Sequence, residues 1–303
     1  MSEKAADAKR RPWILIGGIA LVVVLAVGGV ATWLFVKHTH QPQQVVLPFP
    51  GVREPYGVAV NNAGDVFVAD ANNTAGNDPA DAETNRVLKL PAGSTTAFTL
   101  PLNGLKNPSG VAVDSTGTVY VTDANNNRVL KLLPGSTSQI ELPFTGLNDP
   151  SDVEADSAGN VFIADSNNNR VLKLPAGSST QVELPFTGLK NPSGVAVDGA
   201  GNVYVTDYAN HRVLKLAAGS TTQTELPFSG LNLPEGVAVD TPGNVYVTDY
   251  WNNRVLKLPA GSNAAVQLPF TGLSHPEAVA VDAGGNVYVA DYGNYRVLKL
   301  PAA

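Results

Sequence analysis

Two regimes of hydrophobic patterning divide the chain. Residues 13–36, WILIGGIALVVVLAVGGVATWLFV, form one apolar run of 24 positions without a charge. From residue 43 onward, apolar residues come in short runs separated by Gly, Asn, Asp, Ser and Pro. The first pattern predicts a single helix over 13–36. At ~1.5 Å per residue it would span ~36 Å, enough to cross a ~30 Å hydrocarbon core. The second pattern predicts short strands joined by tight turns.

The strand pattern repeats. An Asp closes a VYVTD-like run at Asp70, Asp123, Asp165, Asp207, Asp249 and Asp291. An Arg opens an RVLKL run at Arg86, Arg128, Arg170, Arg212, Arg254 and Arg296, always 42 residues apart. The Asp spacing is 53 once and 42 thereafter, so an 11-residue insertion lies in unit one, between Asp70 and Arg86. Each unit holds four apolar runs, in unit four Val195–Asp198, Val203–Asp207, Arg212–Leu216 and Gln223–Phe228. Turn sequences such as Gly199-Ala200-Gly201-Asn202 and Ala218-Gly219-Ser220 separate them, with Gly supplying positive φ. Four antiparallel strands at a period near 40 make one propeller blade. The expected fold is therefore an all-β, six-bladed β-propeller over 43–303.

Closure is legible as well. The last unit stops at Pro301-Ala302-Ala303, after its third strand, while Gln44-Val45-Val46-Leu47-Pro48-Phe49 matches the fourth-strand pattern QVELPF. The N-terminal strand is expected to complete blade six and remove a free sheet edge.

The unit PSGVAVDGAGNVYVTDYANHRVLKL at 192–216 is similar to the NHL repeat, and the resemblance runs across 43–303. It resembles the NHL propellers that serve mycobacterial transmembrane Ser/Thr kinases as extracellular sensor domains. The resemblance implies an extracytoplasmic sensing or binding module. It does not imply kinase activity, since no Gly-rich loop, HRD or DFG segment occurs in the sequence.

Composition and charge refine this reading. Gly (29) and Pro (22) make about 17% of the chain, above the usual ~12%, which suits many short strands and turns. There is no Cys, so disulfides and thiolate metal sites are excluded. Lys4, Lys9, Arg10 and Arg11 precede the apolar run and only Lys37 directly follows it. The positive-inside bias then predicts a cytoplasmic tail (1–12), an uncleaved signal-anchor helix (13–36), a linker (37–42) and an extracytoplasmic propeller (43–303). Residues 1–42 carry five Lys/Arg and two Asp/Glu; with −6 overall, 43–303 hold −9. Such a surface repels phosphates, so no nucleic-acid partner is expected.

The repeat also sorts scaffold from site. Residues present in every blade serve the blade, as the Asp/Arg pair should by bridging each second-to-third-strand turn. The Asp ending each first strand (Asp114, Asp156, Asp198, Asp240, Asp282, with Asn61 in blade one) should cap its turn. Departures cluster on one face. The loops Ala124–Asn127 and Ser166–Asn169 of blades two and three become Tyr208-Ala209-Asn210-His211, Tyr250-Trp251-Asn252-Asn253 and Tyr292-Gly293-Asn294-Tyr295. After the turn Pro, blades two to four carry Ser109, Ser151 and Ser193, but blades five and six carry Glu235 and Glu277. Tyr208, His211, Tyr250, Trp251, Tyr292, Tyr295, Glu235 and Glu277 are thus the candidate ligand-binding residues, an aromatic, acid-edged surface suited to sugars, cations or a protein.

No catalytic residue, metal site or cofactor is expected. No nucleophile elbow or His-Glu-x-x-His segment occurs, and only His211 and His275 of four histidines fall in the loops. The expected partners are the membrane, through 13–36, and an unidentified extracytoplasmic ligand or envelope protein. A metal-dependent lyase or lactonase centred on the channel and a structural envelope adaptor stay open as alternatives. Asp152, Glu154 and the insertion within 71–85, with Asp78, Asp81 and Glu83, also break the pattern; the insertion reads as an acidic loop rather than a calcium loop.

Overall fold

A computed structural model describes residues 21–27, 30–36, 43–71 and 85–302. Residues 43–302 are organised as six four-stranded antiparallel sheets, as the repeat requires. In blade four the strands are Pro192–Val197, Val203–Asp207, Arg212–Leu216 and Gln223–Glu225, ordered from the channel outward. Every second strand is buried along its full length, because it is covered on both faces by neighbouring blades. The core lies between blades: Ala196, Tyr204 and Val213 of blade four pack with Val237, Val245, Val247 and Leu256 of blade five.

The ring closes three-plus-one. Val45–Val46 pairs with Arg296–Leu300 as the fourth strand of blade six. Leu47 N–H donates to Val297 O at 2.9 Å. Gln44 then repeats a clamp found elsewhere in the ring. Its amide donates to Thr271 O (2.9 Å) and accepts Thr271 N–H (2.8 Å), as Gln181 does with Thr145. Phe49 is buried and joins the cluster between blades six and one.

The innermost strands share one irregularity. In each blade the register slips by one residue just after the strand's Pro, as between Pro192 and Val195. A Pro cannot donate to the ladder, and the bulge re-aims the residues that follow it. Glycine is required at this point in several blades, since a Cβ on Gly194 would lie 2.6 Å from Glu235 O.

The N-terminal apolar run differs from expectation. Leu21–Val27 and Val30–Val36 pair as an antiparallel hairpin, with Val24 opposite Trp33, where one helix over 13–36 was predicted. The reason is compositional. The paired segments are rich in β-branched Val, and Gly28-Gly29 separates them at two-residue hairpin spacing. Among the described residues no helix is long and apolar enough to cross a membrane. The expected tail (1–12), the start of the run (13–20), the linker (37–42) and insertion residues 72–84 lie outside the described residues.

Deleting residues 43–49 removes the closing ladder, the Gln44 clamp and Phe49 together. At ~2–4 °C per kcal/mol for a domain this large, Tm should drop by roughly 10 °C. An unchanged melting curve would show that the ring closes in another way.

Candidate functional site

The loop face is fixed by the six buried Asp residues. In blade four, Asp207 accepts Arg212 Nε at 2.7 Å, Asn210 Nδ2 at 2.8 Å and, from the connection arriving from blade three, Lys190 N–H at 2.7 Å. The Asp/Arg bridge recurs in all six blades at 2.6–3.0 Å. The first-strand Asp residues cap their turns as expected: Asp198 accepts Ala200 and Asn202 N–H groups, and Tyr204 OH donates to it. These bonds hold the Asp198 carboxyl below its ordinary pKa although burial alone would raise it. Loop and connection meet on one face, where Ala209 N–H donates to Lys190 O and Trp251 N–H to Asn232 O.

Each second-to-third-strand loop from blade two onward is a single 3-10 turn ending in a left-handed residue: Asn127, Asn169, His211, Asn253 or Tyr295. In blades two and three the Asn Oδ1 accepts the N–H of the residue before the next blade's Pro, at 2.8 Å in both. His211 Nδ1 makes the same bond to Leu233, at 3.0 Å. His211 therefore substitutes for a structural Asn. Tyr295 occupies the same left-handed position and is 62% exposed.

The bulges aim a second set of residues into the ring. Tyr56, Ser109, Ser151, Ser193, Glu235 and Glu277, all directly after a Pro, line one cavity of about 200 Å³ at the channel mouth. Asp152, Gly236 and Ala278 connect it to a Val- and Ala-lined shaft of about 190 Å³ that contains Glu154. Ser193 Oγ donates to the Glu235 carboxyl. Asp152 accepts Val153 N–H and Val195 N–H, both at 2.9 Å. Burial pushes Asp152 up to about 7 and Glu154 up to about 8, despite those main-chain bonds. Burial also raises Glu235, with Asp152 adding to the effect. Glu277 is raised by burial and then by Glu235. Burial thus shifts all four acids of the mouth and shaft toward their protonated forms.

Of the eight expected site residues, only Glu235 and Glu277 line the cavity. Burial raises the Tyr208 and Tyr250 phenols, and both feel the Glu235 and Glu277 carboxyls. Tyr292 joins them: burial raises it, and Glu277 adds to the rise. Its ring lies 5.1 Å from that of Tyr56. Trp251, 56% exposed, stacks on Tyr250 at 6.0 Å, and His275 contacts both rings. Tyr56, Ser193 and Asp152 belong to the cavity but were not among the expected ligand-binding residues. Tyr56 was findable, since Pro55-Tyr56-Gly57 aligns with Pro192-Ser193-Gly194 and Pro234-Glu235-Gly236. Among the described residues, no group of three or more His, Cys, Asp or Glu side chains is arranged to hold a metal ion.

Six such blades, each carrying the Asp/Arg bridge, form one propeller ring. Residues 105–132, 147–174, 189–216, 231–258 and 273–300 match the NHL repeat itself. Among curated proteins, the chain is 50% identical over 107 residues to the serine/threonine-protein kinase PknD of Mycobacterium tuberculosis, in both strain CDC 1551 / Oshkosh and strain ATCC 25618 / H37Rv. That match takes in 33% of this chain and only 14% of the kinase's length. Solved structures share the fold at low identity. A gluconolactonase from Xanthomonas campestris superposes with a TM-score of 0.68 at 15% identity, covering 86% of this chain and 89% of that one. A catalytically inactive virginiamycin B lyase from Staphylococcus aureus with quinupristin gives 0.63 at 16%, covering 86% and 99%. A chain of the nidogen/laminin complex gives 0.61 at 18%, covering 85% and 92%.

Glu154 gives the channel a measurable signature. Its folded pKa, about 8, lies above its ordinary value of 4.5. At pH values below 4.5 both states are protonated; between there and pH 8 the unfolded chain gives up the proton that the folded channel holds. Stability therefore falls as pH rises through this window. Glu154→Ala, which restores the residue of the other five blades, should raise Tm by several degrees at pH 8 and barely change it at pH 4.5. Calorimetry showing the same shift at both pH values would rule out a buried, proton-holding Glu154.

Proposed function

We propose that the protein is a sensor-like binding propeller held at the outer face of a membrane by residues 13–36, with the channel mouth as its ligand site. One observation carries this reading. The scaffold bonds repeat in all six blades, whereas the loop aromatics and the Tyr or Glu after the strand Pro fall on the contiguous blades four, five, six and one, with the acids Asp152 and Glu154 on adjacent blade three. Drift would scatter substitutions around the ring. Concentration on one arc of one face, around a cavity, is what a binding site requires. The half-identity to a segment of PknD supports a sensing role, and the charge asymmetry flanking 13–36 supports an extracytoplasmic propeller. Partners would be an extracytoplasmic ligand or an envelope protein, and no activity of its own is assigned.

A second reading is favoured by one observation, the proton-holding carboxyls in the channel. Propellers of this fold include a lyase and a gluconolactonase, and a carboxyl titrating near neutrality suits acid–base work. Lactone hydrolysis by the purified chain, lost in Glu277→Gln, would support it over pure binding.

The binding reading is tested in cells with a photocrosslinking residue in place of Trp251, and another in place of Ser157 on the opposite face. Position 251 should capture a discrete partner that position 157 does not. Tyr250→Ala with Tyr292→Ala should abolish that capture while the purified variant keeps its β-sheet circular dichroism. Equal capture from both faces, or capture indifferent to the two tyrosines, would remove the mouth as the site.

A further inference from the structure

The chemistry of the mouth selects a ligand class. Its lining includes four carboxyl residues, Asp149, Asp152, Glu235 and Glu277, and no Lys or Arg. The blade arginines are committed to the buried Asp residues at the loop bases. Asp152 and Glu235 are hydrogen-bonded within the protein. The Glu277 carboxyl, in contrast, opens on the cavity with no hydrogen-bond partner among the described residues. Tyr56 lines the cavity beside this acid pair, and its ring lies 5.1 Å from that of Tyr292. Tyr56, Tyr208, Tyr250 and Tyr292 all feel the charge of Glu277.

We propose that the mouth, if it is the binding site argued above, recognises an organic cation, the head of a protonated or quaternary amine. The ammonium group lies against Tyr56, whose ring neighbours that of Tyr292, and balances one carboxylate charge on the Glu235/Glu277 pair. Aromatic rings favour weakly hydrated cations, and quaternary ammonium groups are held in this way in aromatic cages. A small hard cation would need a set of converging oxygen ligands, and no such set exists among the described residues. An anion would meet carboxyls and no cation. A cavity of about 200 Å³ is smaller than the ~300–1,000 Å³ of a drug-sized pocket, so it takes a head group rather than a large ligand. The acidic propeller would raise the local concentration of such a cation.

The mechanism of recognition is an exchange of charge. In the empty mouth, burial and mutual repulsion keep protons on the Glu235/Glu277 pair. Asp149 and Asp152 on the lining, and the phenols of Tyr56, Tyr208, Tyr250 and Tyr292, add no positive charge. Nor does Glu54, which acts on Tyr56 and Tyr292. An arriving ammonium ion supplies one such charge, the pair gives up one proton to solvent, and the resulting carboxylate pairs with the cation. Binding is therefore coupled to proton release near neutral pH.

The test is calorimetric titration of the full-length chain in dodecyl maltoside, with choline, tetramethylammonium and N-acetyl-lysine methylamide as cationic probes. The neutral isostere of choline, 3,3-dimethylbutan-1-ol, is the control. At least one cation should bind about ten-fold or more tightly than the isostere, and a pH-stat at pH 6.5 should record proton release on binding. Glu235→Gln with Glu277→Gln should weaken that binding about ten-fold and abolish the release without lowering Tm. Tyr208→Leu with Tyr250→Leu should weaken it while leaving the release per bound ligand intact. Failure of all three cations, equal affinity for the isostere, or binding without proton release would overturn the cation assignment. If crosslinking from position 251 persists in that case, only the ligand class is wrong; if it is also absent, the binding reading falls with it.

Discussion

Everything on the loop face depends on a carboxylate that has been taken out of water. The second-to-third-strand Asp residues are 0–1% exposed, and a buried charge is tolerated only when it is paired and fully hydrogen-bonded. The partners come from three chain segments: the Arg that opens the third strand, the Asn of the loop in blades two to six, and main-chain N–H groups of the preceding connection. The same Arg and Asn also donate to a connection carbonyl, as Arg212 and Asn210 do to Gly188 O. Losing one partner of such a bridge typically costs ~3–5 kcal/mol, so turn, third strand and connection are held as one unit. Blade one is the variant case: Asp70 draws on Arg53 and Glu54 N–H groups, and burial raises its pKa despite them and Arg86.

That rigidity separates scaffold from surface. With the loop backbone pinned by Asp, Asn and Arg, the first two loop positions are free to vary without unfolding the turn. The first is Ala or Ser in blades two and three and Tyr in blades four to six; the second is Asn in blades two and three and Ala, Trp or Gly in blades four to six. The last loop position is not free. It sits at φ of about 52–56° and must serve the next connection. An imidazole nitrogen satisfies that need at His211, which is why a residue that looks chemical in sequence proves to be architectural. The connection end carries its own constraint. Leu233 adopts φ 54° where blades two, three, four and six place Asn, Asp, Asn and His, a conformation that costs a residue without a short polar side chain roughly 1–2 kcal/mol.

The repeat made the scaffold legible, because six copies act as an internal control on each position. The blade count, the hairpins, the Asp/Arg bridge and the three-plus-one closure were all readable from spacing alone. The acid cavity was only half readable. Glu235 and Glu277 stood out by type, but their convergence with Tyr56 and Asp152 depends on a one-residue bulge after each Pro, and no hydrophobic pattern announces a bulge. Tyr56 was legible only by aligning Pro55-Tyr56-Gly57 with the same step of the other blades, since no aromatic in its own loop drew attention to it. The 13–36 run carries two competing signals. Length and lack of charge argue for a helix, while repeated Val and a central Gly-Gly argue for a hairpin. Sequence alone does not rank these two local preferences.

Asp152 shows how far the scaffold bends to hold acid in the channel. Blades one, two, four and five place Gly at this position, and a Cβ on Gly110 would fall 2.6 Å from Asp152 Cα. Blade three carries a full carboxylate there. It does so by resuming its ladder at Asp152 itself, whereas blade four resumes only at Val195. The side chain then takes the Val195 N–H of the next blade. Ser166 and Ser151 replace the Thr bridge of neighbouring blades, with Ser166 donating to Pro192 O. These adjustments stabilise the blade interface, yet they leave Asp152 beside Glu235 with no cation between them. A purely structural ring would gain by returning position 152 to Gly and position 154 to Ala. Retaining both acids in the channel fits a site whose compensating charge arrives with the ligand.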